Sequence, residues 1–195
     1  MPRKSNRREL ITEIATNRFL INGYDVVTVD ELCELSSSTK GSFYHFFENK
    51  EALAVEVVNH IWHATQAEMD EIFNEHYSPL DKLNHEVDRI ANTYLRFDGK
   101  RYYIGCPVGT LAVSLRGKSL KLSRRLNFAL THMRQYYLAA FEGAKTGGHF
   151  KGSNAASLAD RYQVSLQGLS TLGKALQNPT RIRELAAEIQ SGLRT

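Results

Sequence analysis

Two closely spaced helix starts, at Thr28 and Thr39, constrain this chain more than any other feature. They fall in residues 28–53, which read TVDELCELSSSTKGSFYHFFENKEAL. Thr28 is followed three positions later by Glu31, the pattern of a capping box, and this predicts a helix opening at Thr28. That helix buries Leu32, Cys33 and Leu35 and runs out in Ser36-Ser37-Ser38, residues that favour turns and caps. Thr39 caps a second short helix whose first turn presents Lys40, Gly41 and Ser42. Two short helices joined by a tight turn make a helix-turn-helix, whose second helix enters the DNA major groove by its N-terminal end.

The second helix suits that task chemically. Lys40 and Ser42 can donate to phosphates or base edges, and Gly41 lets the backbone come close. Phe43 and Phe46 share one face and pack inward, while Tyr44 and His45 fall on the opposite side. Lys50 opens the following helix, where a phosphate would meet its charge and free backbone amides together. A polar-capped helix pair with no role on DNA satisfies the same spacing.

The order of residues carries more than the spacing. Thr28-Val29-x-x-Leu32, Thr39-Lys40-Gly41-x-Phe43-Tyr44-x-Phe46 and Asn49-Lys50-Glu51-x-Leu53 resemble the DNA-binding signature of the tetracycline-repressor (TetR) family. The resemblance implies an all-α chain, with a three-helix DNA-binding domain over 1–50 and an effector-binding and dimerisation domain over 51–195. It implies Thr28, Thr39, Lys40, Gly41, Ser42, Tyr44, His45 and Lys50 as the DNA-contacting set. The family usually has Gly and an apolar residue at the turn, where this chain has Ser37 and Ser38. Ser37 is therefore expected to take a positive φ that Gly adopts more easily.

With 195 residues, 42% of them hydrophobic and 24% charged, the chain is long enough for a real core and ordinary for a globular protein. No stretch has the apolar length of a membrane helix, and residues 1–10 are too polar for a signal peptide. Cys33 and Cys106 are the only cysteines, so a disulfide framework is not expected and a cytoplasmic location is. Arg3, Lys4, Arg7 and Arg8 precede the first acid, Glu9. They form either a basic arm along DNA or an ordinary solvated terminus. Arg116, Lys118, Lys121, Arg124 and Arg125 form a second basic run, either facing acidic helices or solvated.

The first helix is predicted over 7–22, with Ile11, Ile14, Ala15 and Phe19 inward and Gly23 ending it. A long helix follows from residue 50 to about residue 75. Its Glu56, His60 and His63 share a face with metal-ligand spacing, but nothing completes a site, so neither metal nor cofactor is expected. Ser78-Pro79 restarts the chain for a helix over 79–97, ended by Asp98-Gly99. Pro107 opens the next helix and makes Cys106 its N-cap. A long helix follows over 120–143, with Gly147-Gly148 and Gly152-Ser153 marking a flexible connection.

The last two helices carry apolar stripes: Leu158, Tyr162, Leu166, Leu169, Leu172 and Leu176, then Ile182, Leu185, Ile189 and Leu193. In the resembling family such helices pair with those of a second subunit, which implies Leu166, Leu169, Leu172, Leu176, Ile182, Leu185 and Ile189 as a homodimer interface. Filling both stripes within one subunit is the alternative. A dimer also suits a palindromic operator on double-stranded DNA, because paired half-sites multiply the contacts of one short reading helix.

By the same resemblance, a small, largely apolar effector enters between the regulatory helices. Tyr94, Phe97, Tyr103, Cys106, Phe128, Tyr137 and Phe141 are candidate lining, and aromatics at helical spacing are equally plain core. Cys106 at a helix N-terminus is either an activated thiolate, which by the resemblance senses oxidants or electrophiles, or inert packing. No phosphate loop, Gly-x-Ser-x-Gly elbow, His-Glu-x-x-His or Cys-x-x-Cys is present, so an enzyme is not expected. The reading is a DNA-binding transcriptional regulator, most simply a repressor released by its effector.

Overall fold

The computed structural model describes residues 4–194. Among these residues it is an all-α architecture with one small hairpin. Three helices make the N-terminal head: α1 (Lys4–Asn22), α2 (Val29–Leu35) and α3 (Lys40–Phe46). Ile11, Ala15 and Phe19 of α1 are fully buried together with Leu32, Phe43 and Leu53, so three short helices share one apolar centre. Gly23 ends α1 at φ +87°, its amide donating to the Phe19 carbonyl at 3.0 Å.

The fourth helix, α4 (Lys50–Ile72), starts at Asn49, whose side chain accepts from the Ala52 amide at 2.8 Å, and runs from the head into the rest of the molecule. Next come α5 (Pro79–Ala91), a hairpin of β1 (Tyr94–Phe97) and β2 (Lys100–Tyr103), α6 (Pro107–Leu115), α7 (Leu120–Thr146), α8 (Ala155–Leu176) and α9 (Pro179–Ser191). Ser78, Cys106, Ser119, Asn154 and Asn178 each cap the helix that follows. The apolar core is continuous from Ile11 to Leu193.

The hairpin corrects the helix predicted over 79–97. That helix stops at Ala91, and Tyr94 pairs with Tyr103 across an antiparallel ladder closed by Asp98 and Gly99. Both turn residues have positive φ, 51° and 71°, as the primed hairpin turns require. Asp-Gly between two β-prone runs is a hairpin signal, and it outweighs the helical spacing of Tyr94 and Leu95.

Gly105 seats the start of α6 on α8. Its φ is +60°, and a Cβ there would lie 2.6 Å from the Ser170 Cβ. The Ser170 hydroxyl accepts from the Cys106 amide at 2.9 Å and donates to the Leu166 carbonyl at 2.8 Å, which fixes the junction.

Candidate nucleic-acid interface and regulatory core

The helix-turn-helix is held by its caps. Thr28 accepts from the Glu31 amide and Thr39 from the Ser42 amide, both at 3.1 Å. The Glu31 carboxylate pairs with Arg18 of α1, which ties α2 to the rest of the head. At the turn, the Ser38 amide donates to the Cys33 carbonyl at 2.8 Å and the Ser37 amide to the Glu34 carbonyl at 3.1 Å. This is a Schellman ending with Ser37 at its left-handed position, φ 49°. Arg7 reaches across from α1 and donates to the Ser37 carbonyl at 2.8 Å.

Phe43 is fully buried and Phe47 nearly so, and their rings lie 5.5 Å apart. With that face turned inward, Lys40, Gly41, Tyr44 and His45 are exposed and Ser42 is half-buried. Tyr44 is 54% exposed, a large aromatic in water with its ring edge against Phe43. Thr28 and Thr39 are exposed beside them.

The cations of this surface are already engaged. Lys40 pairs with Asp30 at 2.7 Å, and that hydrogen bond holds its pKa above the usual lysine value. Lys50 donates to the Tyr24 carbonyl at 2.6 Å and lies 4.1 Å from the centre of the Tyr24 ring, and burial lowers its pKa. Of the N-terminal arm, Arg3 and the Lys4 side chain lie outside the described residues. Arg7 is bound at the turn, and Arg8 pairs with Glu56 at 3.2 Å over the Phe47 ring. Glu56 is thus occupied, His60 and His63 stand exposed beside it, and no metal-holding group of three occurs among the described residues.

The proposed effector-lining residues separate into distinct places. Tyr103, Cys106, Tyr137 and Phe141 are buried; Tyr94 and Tyr103 meet edge to face at 5.3 Å; Phe141 and Tyr137 both stack on Tyr162. Phe97 lies apart under Arg18, and Phe128 is half exposed against Trp62 and His132.

A pair of charges that the sequence reading missed sits at the centre. Glu86 is fully buried; Arg89 donates to both its oxygens at 2.7 and 2.9 Å, and Tyr137 donates to it at 3.0 Å. A third Arg89 nitrogen reaches Glu68 of α4 at 2.9 Å, so the network clamps α5 to α4 and α7. The signal was present: Glu86 lies on the same stripe as Leu83, Val87 and Ile90, which leaves a carboxylate no route to water.

Cys106 caps α6 with its sulfur, 3.3 Å from the Gly109 amide, and is fully buried. Burial pushes the thiol pKa up, and the Gln167 and Gly109 hydrogen bonds and the Arg89 charge offset this only in part. Beside it, a groove of about 600 Å³ opens between α6 and α8, lined by Ala112, Val113, Leu130, Gln167, Ser170 and Lys174 among others. Lys174 donates to the Leu20 carbonyl in the last turn of α1 at 2.6 Å, a direct bond from this groove to the N-terminal head.

The predicted interface leucines also divide. Leu166, Leu169 and Ile182 are buried within the chain, Leu185 and Ile189 are half-buried, and Leu172 and Leu176 are 51% and 52% exposed. The exposed apolar face of α8 includes Val164, Leu172 and Leu176, with Gly168 uncovered between them.

Residues 11–57 match the family model described as bacterial regulatory proteins, tetR family. An uncharacterised HTH-type transcriptional regulator of Bacillus subtilis (strain 168), YxaF, is 30% identical over 113 residues, 57% of this chain and 58% of that protein. The chain thus matches little more than half the length of this relative. The HTH-type transcriptional repressor DhaR of a Mycobacterium species (strain GP1) is 26% identical over 83% of this chain and 79% of its own. A regulator structure from Agrobacterium tumefaciens superposes with a TM-score of 0.83 at 13% identity, covering 98% of this chain and 99% of that one, a likeness of fold.

Proposed function

We propose, from the premise that the chain belongs to the tetR family of bacterial DNA-binding transcriptional regulators, that it acts as a cytoplasmic homodimeric repressor freed from a palindromic operator by a small molecule. The observation that carries the DNA-binding part is the capped α3, with Phe43 sealed inside and Lys40, Gly41, Tyr44 and His45 turned out. On this reading residues 1–50 are the reading head and 51–195 the regulatory part. No helix among the described residues is long and apolar enough to cross a membrane. Selection of duplexes from a random-sequence library by the purified full chain tests the reading. It predicts recovery of an inverted repeat; recovery of no enriched sequence contradicts it.

The dimer in this proposal forms through the exposed face of α8, with Leu172 and Leu176 at its centre and α9 beside it. Leu172→Glu puts a charge into that contact while leaving the subunit core alone, whereas Leu169→Glu would strike the core itself. Sedimentation at micromolar concentration is expected to show a dimer for the unaltered chain and a folded monomer for Leu172→Glu. A Leu172→Glu protein that stays dimeric removes α8 from the interface.

The effector in this proposal is small and largely apolar, and it enters the groove between α6 and α8. It acts because Lys174 joins that groove to the end of α1. An occupant favouring another Lys174 geometry would shift the head, and one indifferent to that geometry would shift nothing. This reversible binding is preferred over thiol chemistry because the Cys106 sulfur is buried and its ionisation disfavoured. Iodoacetamide at neutral pH is expected to label folded Cys106 no faster than Cys33, as mass spectrometry of the intact chain would show. Rapid labelling of Cys106 with release of DNA would reinstate the thiol as the switch.

A further inference from the structure

The basic turn between α6 and α7 remains without a role in the fold. Arg116, Lys118, Lys121, Arg124 and Arg125 fall between Leu115 and Leu126, and no acid occurs from Arg101 until Glu142. The run does not act as one block. Arg125 lines the cleft that Arg8, Glu9, Glu13 and Glu56 also line, so its counter-charges are close by. Lys118 pairs instead with Asp25 at 2.6 Å, in the connection that leads into Thr28. Arg116 and Lys121 are exposed and make no ion pair among the described residues.

The register of two parallel helices places this turn. Trp62 of α4 stacks on Phe128 of α7 at 6.0 Å, and Phe73, just past α4, stacks on Tyr136 at 5.4 Å. Both helices therefore run away from the head side by side. At about 1.5 Å per residue, stepping back from Phe128 brings the start of α7 level with the second turn of α4, and Lys118 just before it level with the first turn. Lys50 stands there, bonded to the Tyr24 carbonyl next to Asp25. The Lys118 and Lys50 ammoniums thus lie against neighbouring residues, Asp25 and the Tyr24 carbonyl, and after burial the Lys118 charge is among the causes that lower the Lys50 pKa. Thr28 and Lys50 belong to the DNA-contacting set expected from the sequence, with a phosphate expected at Lys50, and a DNA strand presents a phosphate about every 3.4 Å of helix axis.

We infer that the α6–α7 turn is a second DNA-backbone contact, in which Arg116, Lys118 and Lys121 of the regulatory part extend the phosphate line of the head beyond Thr28 and Lys50. The inference rests on the DNA-binding reading and adds a surface outside the helix-turn-helix. The contact is to phosphates, so it adds affinity without sequence preference. It also gives the regulatory part a direct hold on DNA, through the turn that joins α6, one wall of the groove, to α7.

The test uses the full chain and the duplex selected from the random library, with affinity measured by fluorescence anisotropy from 50 to 200 mM salt. Arg116→Ala/Lys121→Ala removes two exposed cations and leaves the Lys118–Asp25 pair in place; Arg116→Gln/Lys121→Gln is the second variant, and thermal melting checks both. The expected result is a salt slope shallower by up to about 1.8 per chain, or about 3.6 for a bound dimer, with weaker binding at 50 mM and an unchanged ratio between selected and scrambled duplexes. Lys145→Ala/Lys151→Ala removes equal charge about 36 Å further along the α7 direction and is expected to leave the slope alone. A slope that does not change in either pair, or one that the remote pair lowers equally, overturns the proposal. If the unaltered chain enriches no duplex at all, the DNA-binding reading itself has failed.

Discussion

Arg89→Ala is expected to cost the protein about 3–5 kcal/mol of stability, because it strands a carboxylate in the core. Glu86 is fully buried, and two of its three hydrogen bonds come from Arg89. Without the guanidinium, Tyr137 remains the one donor, and a phenol cannot balance a full charge out of water. The cost is a property of breaking the pair and not a measure of what the pair contributes. Glu86→Leu/Arg89→Leu, which removes both charges at similar volume, should therefore be more stable than Arg89→Ala alone. Urea unfolding of the three proteins checks the order. A loss below about 1 kcal/mol for Arg89→Ala would mean that water reaches Glu86 and that α5 is not clamped as described.

Lys40→Ala/Tyr44→Ala should leave stability nearly unchanged and remove most sequence-specific binding. Both side chains are exposed, and the fold asks little of them beyond the Lys40–Asp30 surface pair. On DNA, each lost base-edge or groove contact is worth about 1–3 kcal/mol. Two of them per chain, four in the dimer, would weaken operator binding by roughly a thousandfold or more, to near the non-specific level. Binding to scrambled duplex should fall far less, because the remaining cations still meet phosphates. Competition anisotropy with selected and scrambled duplexes separates the two effects. If the double variant keeps its preference for the selected duplex, α3 is not the reading helix.

Helix starts were legible because capping is local chemistry. Thr28, Thr39, Ser78 and Cys106 announce helices through residue type and spacing, and the positive φ of Ser37 follows from the turn it must make. The hairpin was misread because Tyr94 and Leu95 continue the period of α5, while Asp98-Gly99 fits either a helix end or a primed turn. What decides between them is pairing with residues 100–103, a contact that spacing within one segment does not contain. The candidate site divides the same way. Exposure of Lys40, Tyr44 and His45 follows from the position of Phe43 on the same short helix.

The interior is different. Whether Leu169 or Leu172 faces outward depends on where α7 lies against α8, and a stripe wide enough to cover both residues cannot tell a core from an interface. Cys106 shows the limit from the other side. Its place before Pro107 identified the cap, yet the same burial that seats the cap raises the thiol pKa. Lys174 and Leu20 are joined by a bond that no local pattern encodes.

The central claim is that two copies of this chain read DNA through paired α3 helices. Hydroxyl-radical footprinting of the selected duplex, with stoichiometry from light scattering of the same complex, tests it most directly. The account predicts an even number of chains per duplex, two for a single operator, and two protected half-sites related by a two-fold. Their centres should lie roughly 34–36 Å apart, one turn of DNA, or a multiple of that spacing. One chain on one protected patch, or protection with no two-fold relation, would contradict it.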